Sequence, residues 1–424
     1  MIALMLVLFI VLLILGVPIA FSTGLATMTY VLDPSNGVPT LFAAQRMYGS
    51  MDSFSLLAIP LFMLAGDLMN GGGITKKIVD LASVCVGHIR GSLGHVTILA
   101  SMLFASMSGA GAAACASVGS MMIPAMKEKN YDDGYAVGVT CCAAVMGPII
   151  PPSIAFVVYS SLSGDSIGEL FLAGVIPGII MGLCMMLLAW AIAKKGNYPV
   201  ESKSSWQDRW KAIKNSIPAI MMPVIIMGGI LSGFFTATEA GCIGCVYGML
   251  VGFLTKQLKL ADLPRLLLNS AKTTAMILFI MGTSQVLGWI LNVAQMPKML
   301  SAGLMGITTS PVIMLIIMMA IVLFLGCFMV DAAVMLIMTP LFLPIVDQLG
   351  INGLVFAIVI NIVAIAGGVT PPVGNLLYIA SGIAGTPVTK AVKGMLPFLF
   401  AIFLAIAICI AFPWTCEWLP SILA

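Results

Sequence analysis

Two proline-rich segments hold the residues whose types and spacing could do chemistry. They are Gly147-Pro148-Ile149-Ile150-Pro151-Pro152-Ser153 and Gly367-Gly368-Val369-Thr370-Pro371-Pro372-Val373-Gly374-Asn375. Each lies in the middle of a run apolar enough for hydrocarbon. A Pro-Pro pair deletes two backbone donors and blocks helix continuation. The carbonyls left behind find few partners in lipid, and a bound cation is one solution. A plain kink, closed by the hydroxyl of Ser153 or Thr370, is the alternative. Finding two such segments at equivalent positions of a repeat, each after a run that turns back on itself, favours the cation. Ser106, Ser108 and Gly109 at the first of those turns offer hydroxyls and unhindered carbonyls. Such neutral oxygens suit Na⁺, a hard cation. The positive ends of nearby half-helices could receive an anionic group.

Intramembrane acids are expensive and usually functional. Asp331 lies at the second turn, where it can bind ion or substrate, or accept backbone donors as a helix cap. An organic anion between turns and breaks would meet Ser153, Asp331 and Asn375. Asp67 and Glu239 lie near span ends and read as interfacial or structural. Cys242 and Cys245 form a CxxC with no partner pair, and read as small packing residues. His88 and His95 flank Arg90 at a turn, with no metal spacing. No nucleophile–base pair, phosphate loop or Walker motif is present, so the chain is not read as an enzyme, and an ion gradient is the expected energy source.

The elements that must position these residues are set by composition. The chain has 424 residues, 61% hydrophobic and 8% charged, against about 25% charged in a soluble domain. That excludes a soluble enzyme, a secreted disulfide scaffold and a nucleic-acid binder, and leaves an all-α polytopic membrane protein whose solvent is the lipid bilayer. Spans of about 20 residues are expected near 1–31, 53–69, 74–92, 133–164, 170–193, 215–232, 236–255, 272–294, 352–384 and 394–413. Two regions, 93–126 and 311–345, are too long for one span and carry small or polar residues at their middle. They are read as re-entrant hairpins, each followed by a broken helix, at 133–164 and 352–384. The basic stretch 194–214 holds Lys194, Lys195, Lys203, Arg209, Lys211 and Lys214 against Glu201 and Asp208, and marks a cytoplasmic linker. Walking outward from it puts the N-terminus outside, with Lys76 and Lys77 on the unfavoured face.

The halves align. At a shift of 220, Pro124 falls on Pro344, Pro151-Pro152 on Pro371-Pro372, Gly147 on Gly367, Gly174 on Gly394 and Pro177 on Pro397. At a shift of 217, Gly24 and Tyr30 fall on Gly241 and Tyr247. The organisation is therefore two inverted repeats, 1–193 and 215–424, joined by the linker 194–214. Inverted repeats with a site near mid-membrane are a hallmark of secondary transporters.

At these motifs the sequence resembles the large membrane subunit of tripartite ATP-independent periplasmic (TRAP) transporters, the DctM/SiaM type. The likeness is carried by Gly16-Val17-Pro18-Ile19-Ala20-Phe21, Ile59-Pro60-Leu61-Phe62, the two Pro-Pro segments, Phe235-Thr236-Ala237-Thr238-Glu239-Ala240 and Gly394-Met395-Leu396-Pro397. It covers nearly the whole chain. The resemblance implies a sodium-coupled elevator in the bacterial inner membrane, with hairpins and broken helices sliding against a scaffold. It implies two partners, a small four-helix membrane subunit (Q type), expected here as a separate chain, and a periplasmic substrate-binding protein (P type). The substrate would be an organic acid of the sialic acid or C4-dicarboxylate type, and Na⁺ the coupling ion. The family's sodium positions would fall on Ser106, Ser108, Gly326 and Cys327 near the turns, and on Gly147, Ile150, Pro152, Gly367 and Thr370 at the breaks. A standalone anion carrier of the same architecture is the second reading.

Overall fold

The computed structural model describes residues 1–200 and 203–423. Glu201, in the central linker, lies outside the described residues. Among the described residues all regular structure is helical. The first half runs α1 (Ile2–Ile14), α2 (Ile19–Val31), α3 (Thr40–Met51), α4 (Ala58–Gly71) and α5 (Ile74–Val86). It continues with α6 (Ser92–Ser108), α7 (Gly111–Glu128), α8 (Asp133–Ala144), α9 (Ile154–Ser163) and α10 (Ile167–Gly196). The second half runs α11 (Trp206–Leu231), α12 (Ala237–Leu254), α13 (Leu263–Val293), α14 (Met296–Met305) and α15 (Pro311–Gly326). It ends with α16 (Asp331–Gln348), α17 (Gly353–Gly367), α18 (Asn375–Ala384), α19 (Val388–Ala411) and α20 (Trp414–Leu423). Seven helical segments among the described residues are long and apolar enough to cross a membrane.

Both regions read as hairpins are pairs of helices, α6–α7 and α15–α16. Both regions read as broken helices are interrupted, between α8 and α9 and between α17 and α18. At a shift of 220 the starts of α7 and α8 fall on those of α16 and α17, and the starts of α6, α9 and α10 fall within one residue of those of α15, α18 and α19. The packing repeats too. Helix α4 lies along α12 and α13 along α2; α7 packs on α18 and α16 on α9; α8 packs on α19 and α17 on α10. Each pair becomes its mate when the halves are exchanged, as a pseudo-two-fold axis requires.

Two span boundaries differ from the sequence reading. Residues 1–31 are two helices of 13 residues each, α1 and α2, packed side by side. The chain turns between them at Gly16, whose φ of 77° favours glycine. Gly233, at a shift of 217, makes the same turn between α11 and α12 with φ 73°. Residues 74–92 are not one continuous span. Helix α5 is 13 residues long, carries Lys76, Lys77 and Asp80, and is about 20 Å long, short of a hydrocarbon core of about 30 Å. The central linker is also shorter than its charge suggests, since α10 runs to Gly196 and α11 starts at Trp206.

The core lies where the broken helices pass through the molecule. Gly134 to Ala144 of α8 and Val355 to Gly367 of α17 are buried without interruption. At the end of the molecule nearest the linker, Lys390 pairs with Asp132 at 3.5 Å and Asp133 at 3.1 Å, and Lys127 with Asp133 at 3.5 Å. Tyr198 stacks on Tyr131 with ring centroids 4.3 Å apart, and Gly91 N–H donates to the Pro199 carbonyl. The start of the linker is thus fastened to α6 and α8.

Candidate functional site

Each hairpin tip is pressed into the break that follows it. In the first half the tip is Ser108-Gly109-Ala110. Gly109 has φ 59°, and a Cβ there would sit 2.7 Å from the Pro152 carbonyl oxygen. The Ile154 N–H donates to the Gly109 carbonyl at 3.4 Å. A Cβ on Gly147 would sit 2.9 Å from the backbone of Ala110 and Gly111. In the second half Gly367 meets Gly326, and a Cβ on Gly367 would lie 2.5 Å from the Gly326 backbone. The Cys327 carbonyl accepts the N–H groups of both Val373 (3.2 Å) and Gly374 (3.3 Å). The glycines of the motif are therefore contact residues: only a missing side chain lets backbone meet backbone here.

The breaks leave carbonyls without donors. The Pro151–Pro152 and Pro371–Pro372 peptide bonds are both cis. Among the described residues the carbonyls of Gly147, Ile150 and Pro152 receive no hydrogen bond. The Gly367 carbonyl accepts the Thr370 N–H at 2.9 Å, which leaves one lone pair. The Thr370 hydroxyl donates to the Ala366 carbonyl at 2.8 Å, the Ser106 hydroxyl to Leu103 at 2.8 Å and the Ser108 hydroxyl to Ala110 at 3.5 Å. A hydroxyl that donates keeps its oxygen lone pairs for a cation. The Cys327 carbonyl is already occupied twice, and the Ser106 hydroxyl is turned back on its own helix.

A cavity of about 210 Å³ lies between the tips and the breaks. Its walls include Gly111-Ala112, Ile154-Ala155, Asp331-Ala332 and Asn375-Leu376. These are the first two residues of α7, α9, α16 and α18, so four helix N-termini meet at one space. The leading N–H groups of a helix are unpaired and carry its positive dipole end. Some are already taken, Ile154 N–H by the Gly109 carbonyl, Phe156 N–H by Ser153 and Leu376 N–H by the Gly368 carbonyl at 2.8 Å, whereas Ala110, Val330 and Gly374, the N-cap residues of α7, α16 and α18, make no side-chain cap bond. No cationic side chain is among the lining residues, and helix N-termini of this kind suit an anion through main-chain donors.

Asp331 lines this cavity as the first residue of α16. It makes no ion pair among the described residues. Asn375 lines it too, and its Oδ1 accepts the Leu376 N–H at 2.8 Å. Ser153 is not among the cavity's lining residues. It is fully buried, accepts the Phe156 N–H at 3.2 Å and donates to the Pro148 carbonyl, so it ties the first break together. Its place in the wall is taken by Ile154 and Ala155. The sequence reading missed Met63 of α4 and Thr273, Met276 and Ile277 of α13, which close the cavity's far side. Their residue types gave no signal, because they are ordinary span residues.

The cavity belongs to a seam between α4 and α13 and the hairpin-and-break unit. On one side a chamber of about 40 Å³ is lined by Met63, Gly66, Asp67, Asn70 and Ser108, and a wider one of about 410 Å³ by Asn70, Thr75, Lys76 and Ser117. Asp67 therefore faces the seam. On the other side, a chamber of about 350 Å³ lies between α3, α9 and α13. Glu239 is structural: it forms a reciprocal capping box with Thr236 at the start of α12.

Comparisons with known proteins agree with this architecture. The family model for the tripartite ATP-independent periplasmic transporter, DctM component, matches residues 6–415. The sialic acid TRAP transporter large permease protein SiaM of Vibrio cholerae is 37% identical over 410 residues, 96% of this chain and 95% of that protein. The 2,3-diketo-L-gulonate TRAP transporter large permease protein YiaN of Escherichia coli is 37% identical over 402 residues, 94% of each. The crystal structure of the YdaH transporter of Alcanivorax borkumensis shares the fold, with a TM-score of 0.60 over 91% of each chain at 15% identity. The chain, an all-helical membrane protein with a duplicated hairpin and break, belongs to the DctM family of TRAP transporter large permeases.

Proposed function

We propose that this chain is the large permease of a sodium-coupled importer and carries an organic acid of the sialic acid or C4-dicarboxylate type across the inner membrane. The observation that carries the reading is the meeting of four half-helix N-termini on one cavity, beside breaks whose carbonyls lack donors. The N-termini take the carboxylate, and the carbonyls and hydroxyls of the breaks take Na⁺. Asp331 and Asn375 face the substrate. Sodium binding would hold tip against break and so keep the anion site in shape.

Contrasting packing supports an elevator motion. Tip and break meet backbone to backbone at Gly109, Gly147, Gly326 and Gly367, which makes hairpins and breaks one stiff body. The seam with α4 and α13 is interrupted by chambers along its length. A close-packed body beside a loosely packed seam slides at the seam.

The basic linker goes to the cytoplasm. From there α10 crosses outward, α8 with α9 crosses back, and the hairpin α6–α7 returns to the inner face. Helix α5 then lies at the inner surface, which brings Lys76 and Lys77 to the cytoplasmic side. Helix α4 crosses outward, and the α1–α2 pair returns the chain to the outer face, so the N-terminus is periplasmic. The partners are a small four-helix membrane subunit and a periplasmic substrate-binding protein.

Reconstitution of the complex in liposomes with its loaded binding protein tests this. Uptake should follow an inward sodium gradient and stop when potassium replaces sodium. Uptake indifferent to sodium would overturn the coupling. Uptake by this chain alone, without partners, would instead make it a standalone carrier.

A further inference from the structure

The 350 Å³ chamber lies at the end of the molecule opposite the basic linker. Its wall includes Ser160 and Ser161 at the end of α9, and the 30 residues of α10, about 45 Å of helix, separate that end from the linker. The other walls come from α3 and the segment after it (Gln45, Arg46, Ser53) and from α13 (Gln285). Among its lining residues there is one cation, Arg46, and no acid. Arg46 makes no ion pair among the described residues. Its guanidinium stands 5.2 Å over the Phe42 ring, and that ring packs on Trp289 with centroids 4.4 Å apart. The ring contact steadies the guanidinium, whose N–H fork suits a planar anion. The side chains of Gln45, Ser53 and Gln285 make no hydrogen bond among the described residues, so neutral donors stand around the charge.

The same two helices lead from this chamber to the central one. Ala155 and Val158 of α9 face the central cavity, and Ser161 faces the outer chamber. On α13, Thr273 and Ile277 face the central cavity while Met281 and Gln285 face outward, at successive steps of four residues along one helix face. The central cavity has no cationic side chain.

We propose that this outer chamber is an entry site for the carboxylate of the organic acid, held by Arg46 with Gln45, Gln285 and the neighbouring hydroxyls before it passes to the central cavity. The proposal rests on the import reading and its orientation. It gives the permease a charge-selective mouth that the anion meets after leaving its binding protein, and whose grip is weak enough to release it inward. Arg46 is a binding residue for the incoming anion.

The test uses the purified complex with Ser53→Cys as reporter and the exposed Cys85 and Cys242 changed to Ser. Rates of modification by an anionic (sulfonatoethyl) and a cationic (trimethylammonioethyl) methanethiosulfonate are compared. The anionic reagent should be favoured. Arg46→Gln should lower the anionic-to-cationic ratio on the order of tenfold, Arg46→Lys should largely keep it, and Gln285→Glu should lower it from the opposite wall. Millimolar succinate or N-acetylneuraminate should slow modification with Arg46 present and not with Arg46→Gln. An unchanged ratio in both Arg46→Gln and Gln285→Glu, or failure of both acids to protect, overturns the proposal. Labelling needs no transport. A complex with the charge bias but without sodium-driven uptake faults the coupling and not this site.

Discussion

Ser153 is fully buried and ties the first break from both sides, to the Phe156 N–H and the Pro148 carbonyl. At the equivalent break of the second half, the Thr370 hydroxyl reaches only Ala366 in the preceding helix, and Val373 is 47% exposed. The tips differ in the same sense. Ser108 is 5% exposed and Gly109 makes a tight left-handed turn, whereas the second tip takes four residues to turn and leaves Phe328 38% exposed. A duplicated motif has been closed in one copy and left open in the other. The buried copy is fixed by its side chains, and the more exposed copy is the one an ion would reach first on the proposed reading.

The largest effect should separate the tips. Gly109→Val places a branched side chain at a left-handed φ and against the Pro152 oxygen, so uptake should be abolished and membrane abundance should fall. Phe328→Ala at the second tip should keep more than half of wild-type uptake. Equal losses would remove the distinction between rigid and open copies.

A smaller effect compares the hydroxyls. Ser153→Ala strands a buried amide and removes a donor to a buried carbonyl, at a cost of about 2 kcal/mol. Thr370→Ala deletes one bond at a partly exposed helix end, at about 0.5 kcal/mol. Thermal unfolding of the complex should rank them in that order, and the reverse ranking would exchange the roles of the two breaks. The smallest difference concerns the helix starts ahead of the breaks. Asp132 caps α8 through the Tyr135 N–H at 3.1 Å, and Asn352 caps α17 through the Val355 N–H at 3.0 Å. Each change to Ala should cost about 1 kcal/mol. The two costs should be close, because each cap also has a charged partner: Asp132 meets Lys390, and the Asn352 amide donates to Glu417.

Much of this was legible because proline and glycine are scarce signals in an apolar chain. The Pro-Pro pairs and Gly147 with Gly367 revealed the repeat, and the small residues at 106–111 and 326–331 revealed the turns. The turn at Gly16 was also legible in principle, since Gly233 is its mate at a shift of 217, but a continuous apolar run from Met1 to Val31 hid it. Helix α5 was misread because hydropathy counts apolar residues without asking which face carries Lys76 and Lys77. The convergence of four helix N-termini could not be read, because it depends on how α7 meets α18 and α9 meets α16 across the repeat. Nor could the roles of Met63 and Ile277, which are defined by the partner they face.

Sodium binding to the purified complex, followed by calorimetry, tests the central claim most directly. Sodium chloride should give a saturable isotherm that potassium chloride does not. Thr370→Val, which removes one oxygen beside the open break, should weaken it about tenfold, the loss of a ligand bond near 1.4 kcal/mol. Equal heats for the two salts, or a sodium isotherm unmoved by Thr370→Val, would contradict an ion held by the oxygens of the breaks.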